Sequence, residues 1–490
     1  MSRKRTLLLR GAMTGSLLFL AYPAAAQSNQ QLQDQIRQLQ QQLQNLQNKV
    51  DQQPPAPVAG APAAVPVGVG PRVTLSPNNR PGISSADGQN SIELTSRVHF
   101  DIADYLRVRP QSPTGPHSLT SGVNARRARL GVLGKFMGDW NYTFIIDAGG
   151  SSDATSASTS LIENAYLSYN GFRPVAVDLG YLDVPFTLDE ATSSNDIMFI
   201  ERAEVQNVVT NMAANDARSA LGVRSNNDRY WAGAYLTGPV AGATHTGSNQ
   251  QQLGGTARAT YQVLQGSNYS LHLGLDGEYV FKPRATTSAT APIPNTLTFS
   301  DRPELRVDGT TFINTGAIPA KNAGAYGAEA AAGLGSFFAQ AEYYHIFINQ
   351  SGLTATAPTP QLNFDGWYAQ ASYVLTGESR KYMPTTGAYS GVRPNNPVGT
   401  GGWGAWEVAA RFASLNLNNH DFAAPAVSGG VFGGRQNAAV FGINWYPIYN
   451  IRFMFNYIHE NVDKTPQAVG GNATAGVKID AIALRTQIAF

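Results

Sequence analysis

Cysteine is absent from the 490-residue chain, and charged residues are scarce. Without thiols the protein forms no disulfide, has no cysteine nucleophile and lacks cysteine-based zinc or iron–sulfur sites. A protein exported through an oxidising compartment avoids mispaired disulfides in this way. Charged residues make up 14% of the chain, whereas about 25% is usual in soluble proteins. A soluble globular protein of this composition would be difficult to keep in solution.

Long apolar runs and recognisable catalytic motifs are also missing. After the first 26 residues, no segment has the roughly 18 uninterrupted apolar residues of a transmembrane helix, and the mean hydropathy is only −0.21. The sequence has no P-loop and no nucleophile elbow. Its seven histidines are scattered, and no pair has the spacing of metal ligands on a helix. We therefore expect neither an enzyme nor a cofactor or metal site.

The N-terminus has the layout of a secretory signal peptide. Basic residues at 3–5 precede an apolar run at 11–21, and alanines at 24–26 supply a cleavage site. The apolar run is too short to span a bilayer. Removal of residues 1–26 takes four of the 35 Lys and Arg residues and none of the 33 acids, which leaves a formal charge of −2. Since no basic patch remains, nucleic acid is not an expected partner.

A short coiled coil and a linker are expected to follow, over residues 27–53 and 54–90. The spacing of apolar residues predicts an uninterrupted heptad pattern. Such a helix exposes an apolar seam, so it either associates with other helices or folds onto its own chain. The linker is rich in proline, alanine and glycine, which favours an extended spacer. The heptad residues are Leu32, Ile36, Leu39, Leu43, Leu46 and Val50.

Residues 91–490 are dominated by alternation with a period of two. In the last segment, for example, Ile482, Leu484 and Ile488 alternate with Arg485 and Gln487. Because hydrocarbon excludes an open sheet edge, strands of this kind predict a closed transmembrane β-barrel. At about 10 residues per strand plus loops, the segment provides 14 to 18 strands, enough to enclose a watery channel. Aromatic residues near the strand ends predict an interfacial girdle, namely Trp140, Tyr169, Tyr181, Trp445 and Tyr446.

Several motifs, in order along the chain, resemble the phosphate-selective porin O/P family. The resemblance covers about residues 91–490 and rests on the motifs together, because each is weak alone. They are NARRARLG (124–131), GDWNY (138–142), NAYLSYNGF (164–172), LDEATSS (188–194) with Glu201-Arg202, YAQASYVLTGE (368–378), GAWE (404–407) and FGINWY (441–446).

This resemblance implies a trimeric, all-β, antiparallel barrel of about 16 strands, whose third extracellular loop folds inward and narrows the pore. It also implies that basic side chains on the strand containing Arg126, Arg127 and Arg129 guide anions, and that Asp147 orients such arginines. Alternation places Arg127 and Arg129 on the water-filled face, because a guanidinium facing lipid costs about 2–4 kcal/mol at mid-bilayer. Arg126 then requires a rim position or a bulge.

Further arginines are candidates for the same lumenal path. Each has an alternative role as the structural partner of a nearby lumenal acid. Alternation also places Arg107 and Arg258 on that face. The complete candidate set for pore lining and anion binding is Arg126, Arg127, Arg129, Asp147, Arg97, Arg202, Arg411, Arg452 and Arg485.

The sequence departs from the family at the predicted constriction. Phosphate-binding members carry lysines after the Ala-Thr-Ser-Ser motif, whereas residues 195–204 contain no lysine and three acids, Asp196, Glu201 and Glu204. A phosphate site would therefore have to be built from arginines alone, close to negative charge.

The sequence thus predicts an outer-membrane porin for passive diffusion of small anions such as phosphate. We expect a homotrimer embedded in outer-membrane lipid, with the coiled coil in the periplasm. Two other interpretations remain open. One is a general porin for mixed small solutes, and the other is a structural role in which the coil and linker tether the barrel.

Overall fold

Strands account for most of the described chain, as the alternation predicts. The computed structural model describes residue 41 and residues 70–110, 119–149, 161–214, 217–242, 251–284, 287–288, 291–292, 295–352, 359–419, 429–464 and 476–490. The predicted signal peptide lies outside these residues, as do the predicted coiled coil apart from Gln41 and the first part of the predicted linker.

Sixteen long strands form one antiparallel sheet. In chain order they are β3 (Ser91–Pro110), β4 (Gly122–Phe136), β5 (Trp140–Asp147), β6 (Ile162–Phe172), β7 (Val175–Leu182), β8 (Arg218–Asn226), β9 (Tyr230–Val240), β10 (Leu253–Gln265), β11 (Tyr269–Lys282), β17 (Ile318–Leu334), β18 (Phe337–Gln350), β19 (Gln361–Val374), β22 (Ala405–Asn419), β23 (Val431–Ile448), β24 (Ile451–Asp463) and β25 (Val477–Ala489).

The sheet closes because its last strand pairs with its first. Leu484 of β25 lies opposite Ile102 of β3, and Ile488 lies opposite Val98. Next to them, the backbone of Phe490 exchanges two 3.0 Å hydrogen bonds with Ser96. Every strand therefore has two neighbours, and the barrel presents no open edge to lipid. The predicted antiparallel barrel of about 16 strands is confirmed.

Shorter elements complete the described chain. They are β1 (Arg72–Leu75), β2 (Pro81–Ser84), β12 (Thr287–Ser288), β13 (Ala291–Pro292), β14 (Thr296–Leu297), β15 (Ser300–Asp301), β16 (Ile313–Asn314), β20 (Tyr382–Met383), β21 (Ala388–Tyr389) and the helices Leu188–Ala191 and Glu204–Ala213. The β1–β2 hairpin pairs with β3, so the second half of the predicted linker contains ordered strand. Neither described helix is long and apolar enough to cross a membrane.

Side chains alternate between an apolar outer face and a polar lumen. In β25, Leu484 and Ile488 are exposed on the outside, whereas Arg485 and Gln487 are buried inside. One predicted lumenal arginine is an exception. The pairing of β3 with β25 skips Leu106, and this bulge turns the exposed Arg107 to the outer face, beside Asp480.

An aromatic band surrounds the rim that holds the chain's last residue, hereafter the C-terminal rim. Trp140 packs on Tyr169 with ring centroids 4.7 Å apart, and Trp406 stacks on Trp445 at 5.6 Å. Tyr446 does not belong to this band. Its side chain points inward, and its hydroxyl donates to Glu407, 2.7 Å away.

Connections at the C-terminal rim are short with one exception, the 30-residue segment 375–404 between β19 and β22. At the opposite rim the longest connections are 183–217 and 283–317. All three contact side chains of the lumen. The connection 183–217, called the inner loop below, carries both helices and packs buried apolar residues against the inner wall.

Candidate functional site

A bulge in β4 brings three arginines to the same face of the barrel. In the pairing with β3, Arg127 lies opposite His99, but the residue opposite Phe100 is two positions earlier, so Arg126 is skipped. A bulge inserts one residue into a strand and re-aims its side chain. Arg126 therefore points into the lumen together with Arg127 and Arg129, and of the two expected alternatives, a rim position or a bulge, the structure shows the bulge.

Two of these arginines are held by carboxylates. Arg126 donates through Nε and Nη2 to Glu201 of the inner loop, at 2.8 and 3.1 Å. Arg129 donates through Nε to Asp147 at 2.7 Å and forms a second ion pair with Glu163. Asp147 also accepts the backbone N–H of Ala128 at 2.9 Å. Charge-assisted bonds of this kind fix the two guanidiniums in place.

Arg127 lies between them and has no carboxylate partner among the described residues. Its side chain is buried, only 4% of the residue is exposed, and its buried Nε and Nη1 atoms have no hydrogen-bond partner in the described part of the chain. Among the described residues no ion pair with Arg127 is formed. A buried cation with unused donors is energetically costly unless it meets an anion. Arg127 is therefore the strongest candidate for a group that binds a passing anion.

Arg127 faces a cavity of about 420 Å³. One side of the cavity is the inner wall from β3 to β9, and the other side is the inner loop together with Thr385 and Thr386 of segment 375–404. Its lining includes the arginines Arg97, Arg127, Arg129, Arg202 and Arg224, the acids Asp178, Asp183 and Glu190, and the aromatic residues Tyr166, Trp231 and Tyr235.

The other lining arginines have described partners. Arg97 donates to the hydroxyls of Ser194 and Ser193 at 2.5 and 3.2 Å. Arg224 forms a 2.9 Å ion pair with Asp178. Arg202 pairs with Asp189 and Glu190, at 3.4 and 3.2 Å respectively.

Besides Arg126 and Asp147, three predicted residues face the lumen but do not line this cavity. Arg485 is ion-paired with Asp101 at 2.6 Å and with Glu201 at 2.9 Å. Arg411 pairs with Glu304 at 2.5 Å. Arg452 donates to the carbonyl of Ile197 at 2.7 Å. These contacts attach in-folded segments to the barrel wall, and a role of Arg411, Arg452 and Arg485 in anion passage stays a prediction.

Glu201 is the electrostatic centre of the inner loop. Burial alone would favour its neutral form, but the guanidiniums of Arg126 and Arg485 outweigh that effect and hold the pKa of Glu201 well below its usual range. The carboxylate therefore stays ionised and fixes the loop beside the cavity.

Three carboxylates on the far wall have the geometry of a metal site. One oxygen each of Asp276, Glu329 and Glu342 lies within 4.8 Å of the others. The oxygens of Glu329 and Glu342, however, already have strong donors, whereas Oδ1 of Asp276 has no hydrogen-bond partner among the described residues. Arg258 bonds both oxygens of Glu329 at 2.9 Å, and Glu342 accepts the backbone N–H of Leu188 at 2.8 Å. Of the three, Glu342 anchors the inner loop, because it also accepts the backbone N–H of Asp189 and the side-chain amide of Gln206.

Sequence reasoning missed several lining residues. Arg224 follows the alternation of β8, where Leu221 and Val223 face outward, so a strand-by-strand reading could have found it. Trp231 was not identified because aromatic residues are expected on the outer face. Thr385 lies in a long connection, and its inward position is revealed only by the 3.1 Å bond from Trp231 Nε1 to its carbonyl.

Several known proteins are similar to this chain. The family described as phosphate-selective porin O and P matches residues 92–490. An uncharacterized protein of Caulobacter vibrioides is 27% identical over 422 residues, covering 83% of this chain and 76% of the relative. Porin O of Pseudomonas aeruginosa is 25% identical over 405 residues, covering 78% and 85%. The structure of an anion-selective porin from Comamonas acidovorans is 13% identical with a TM-score of 0.46, covering 82% of this chain and 100% of that one.

Proposed function

The chain belongs to the phosphate-selective porin O and P family, and on that basis we propose that its outer-membrane channel carries small anions by passive diffusion. The family and the closed barrel make the protein a porin. The proposal adds that the solute is negatively charged and that it binds at Arg127. Phosphate is the first inorganic anion to test, because the description of the family names it.

The observation that carries the proposal is the guanidinium of Arg127 beside the cavity, which has no carboxylate partner in the part of the chain that the structure describes. Selectivity in a pore arises from charged groups that replace part of the hydration of the permeating ion. The positive charges of Arg129, Arg202 and Arg224 are compensated by ion pairs with carboxylates of the protein. Arg127 forms no ion pair among the described residues, so its positive charge beside the cavity favours an anion over a cation.

The proposal includes the assembly and the location of the N-terminal region. We place the barrel in outer-membrane lipid as a homotrimer, as the family resemblance implies, and the segment 27–53 in the periplasm as a coiled coil. Cross-linking of the protein in its native membrane, followed by electrophoresis, should give a species of three chains. A single-chain species would remove this part of the proposal.

A general porin for mixed small solutes is the second candidate, and charge balance favours it. Three acids lie on the cavity lining, and three more pair with its arginines. The five lining arginines thus face the six carboxylates Asp147, Glu163, Asp178, Asp183, Asp189 and Glu190. Balanced charge of this kind weakens long-range attraction of either sign.

The reversal potential in a potassium chloride gradient separates the two candidates. If the protein is an anion channel, the purified protein in a planar bilayer should give a reversal potential with the same sign as the equilibrium potential of chloride. A potential near zero would support the general porin, and absence of channels would overturn both.

A further inference from the structure

Three basic side chains lie close together on the outer face of the barrel, near the rim opposite the C-terminal rim. Lys478 of β25 lies directly opposite Arg109 of β3, and Arg107 precedes Arg109 by two positions on the same strand. All three residues are exposed, whereas the alternate residues Val108 and Ile479 pack towards the interior. Arg107, Arg109 and Lys478 are called the outer basic patch below.

The acids on this part of the outer face offset the patch only in part. Asp480 lies opposite Arg107 and reduces its effect, but Asp480 is also bonded to Nδ1 of His459, 2.7 Å away. Asp104 lies on the same face and accepts the hydroxyl of Ser121 at 2.6 Å. The excess positive charge is therefore concentrated at the end of the patch furthest from these acids.

At that end, two cations face each other. Across the strand pairs, the neighbours of Lys478 are Arg109 on β3 and Asn461 on β24, neither of which is an acid. The connections that continue from these strands, residues 111–121 and 465–476, contain no Asp and no Glu. Like charges directly opposite each other destabilise an antiparallel pair. An anion bound between Arg109 and Lys478 would remove this repulsion.

The patch lies at the level of lipid headgroups. Lys478 precedes Ile488, which is close to the C-terminal rim, by 10 positions on β25. At about 3.4 Å per residue and a strand tilt of about 40°, the difference in height is about 26 Å, which matches an apolar band of about 25 Å. Leu484, between them, is exposed on the outer face. Because membrane barrels have short periplasmic turns and longer external loops, the rim beside the patch faces the cell exterior.

We propose that the outer basic patch binds the phosphate group of an anionic lipid in the outer leaflet, whose acyl chains lie along the apolar face below. Arg109 and Lys478 donate charge-assisted hydrogen bonds to the phosphate from two strands. Long basic side chains place their apolar stems against such a surface and their charges among the headgroups. A lipid is favoured over free phosphate because its acyl chains hold the phosphate at the height of the patch. The inference is independent of which ion passes through the lumen.

Lipid binding by the purified protein in a neutral detergent tests the proposal. Native mass spectrometry counts the bound lipid molecules and the protein chains in each complex. Lipid A with two phosphate groups is titrated, and fully dephosphorylated lipid A shows what the acyl chains contribute alone. Because each basic residue near anionic headgroups contributes about 1 kcal/mol, its loss should weaken binding about fivefold. The double variant Arg109→Gln/Lys478→Gln should therefore bind phosphorylated lipid about 25-fold more weakly and dephosphorylated lipid as before.

Arg435→Gln is the matched control. Arg435 is an exposed cation on the same outer face, but it lies opposite the acid Asp463. This variant should bind phosphorylated lipid like the unaltered protein. The shift in electrophoretic mobility on heating verifies that each variant forms a folded barrel.

Four results would contradict the proposal. Equal affinity for the two lipids would show that the acyl chains alone are recognised, and equal affinity of the double variant and Arg435→Gln would show that the patch is not the site. Displacement of the lipid by inorganic phosphate at constant ionic strength would identify a site for free phosphate instead. Dissociation of the oligomer in the double variant would identify the patch as a contact between copies of the chain.

Discussion

At the scale of single residues, the proposed anion path depends on which lumenal arginines have carboxylate partners among the described residues. Sequence reasoning identified Arg126, Arg127 and Arg129 together and expected either a rim position or a bulge for Arg126. It could not separate them, because the difference lies in contacts across the chain. Glu201 reaches Arg126 from 75 positions away, and no local pattern indicates that Arg127 has no such partner among the residues that the structure describes.

Glu201→Gln should destabilise the inner loop and increase anion selectivity. The carboxylate holds two guanidiniums, and breaking a buried pair by removing one partner costs about 3 kcal/mol or more. The freed charges of Arg126 and Arg485 would then attract anions. Limited proteolysis should cut the inner loop faster in the variant, and the reversal potential should move further towards that of chloride. Unchanged selectivity would mean that these guanidiniums do not act on permeating ions.

The contribution of Glu201 to the stability of the inner loop should also be insensitive to mild acid. Its folded-state pKa is lowered by Arg126 and Arg485, so its stabilising effect is present above the usual glutamate pKa and is lost only as the pH falls through the lowered value. Protease resistance of the inner loop should therefore persist between pH 7 and about pH 5, above the ordinary glutamate pKa of about 4.3. A loss of resistance within that range would contradict the assignment of Glu201 as the anchor.

At the scale of elements, the alternation of apolar and polar residues predicted the strands. The inward packing of the long connections, in contrast, depends on tertiary contacts. Period-two patterns placed Arg485 and Gln487 inside, as observed. They failed at Arg107, where a bulge at Leu106 shifts the pattern by one residue. Bulges leave no clear sequence mark when the inserted residue is apolar. The helices of the inner loop are stabilised by packing against the barrel and were not predicted.

Segment 375–404 should restrict the channel from the C-terminal rim. Arg258 donates to the carbonyls of Thr386 and Gly387 at 3.0 and 2.7 Å, which holds the β20–β21 hairpin in the lumen. Replacing residues 382–389 with a short glycine–serine linker should increase single-channel conductance and reduce ion selectivity, because Thr385 and Thr386 then no longer line the cavity.

Residues 398–401 provide the matched control for this replacement. They belong to the same connection but are exposed. Their exchange for glycine and serine should leave the conductance unchanged. Equal conductance in both variants would show that the hairpin does not limit the pore.

At the scale of the whole molecule, the barrel is complete without the segment that precedes it. Closure of β25 on β3 and the pairing of the β1–β2 hairpin involve only residues from Arg72 onward. Composition and strand count predicted this architecture, because a membrane barrel must satisfy all its backbone groups internally. Pore shape was beyond such reasoning, since it depends on where three long connections pack.

Deletion of residues 27–69 should preserve the single-channel conductance. The deletion retains β1, β2 and the barrel, so the path through the lumen keeps its lining. If the predicted coiled coil braces an oligomer, the deletion should lower the temperature at which the oligomer dissociates in detergent. Loss of conductance would instead show that the N-terminal segment forms part of the pore.

The most direct test of the central claim compares reversal potentials of the unaltered protein, Arg127→Gln and Arg173→Gln in a potassium chloride gradient. One unit charge at contact distance contributes about 1 kcal/mol in water-like surroundings, or about fivefold in relative permeability. Loss of Arg127 should therefore reduce the chloride-to-potassium permeability ratio about fivefold, and loss of the exposed Arg173 should leave it unchanged. An equal ratio in all three proteins would contradict an anion path through Arg127.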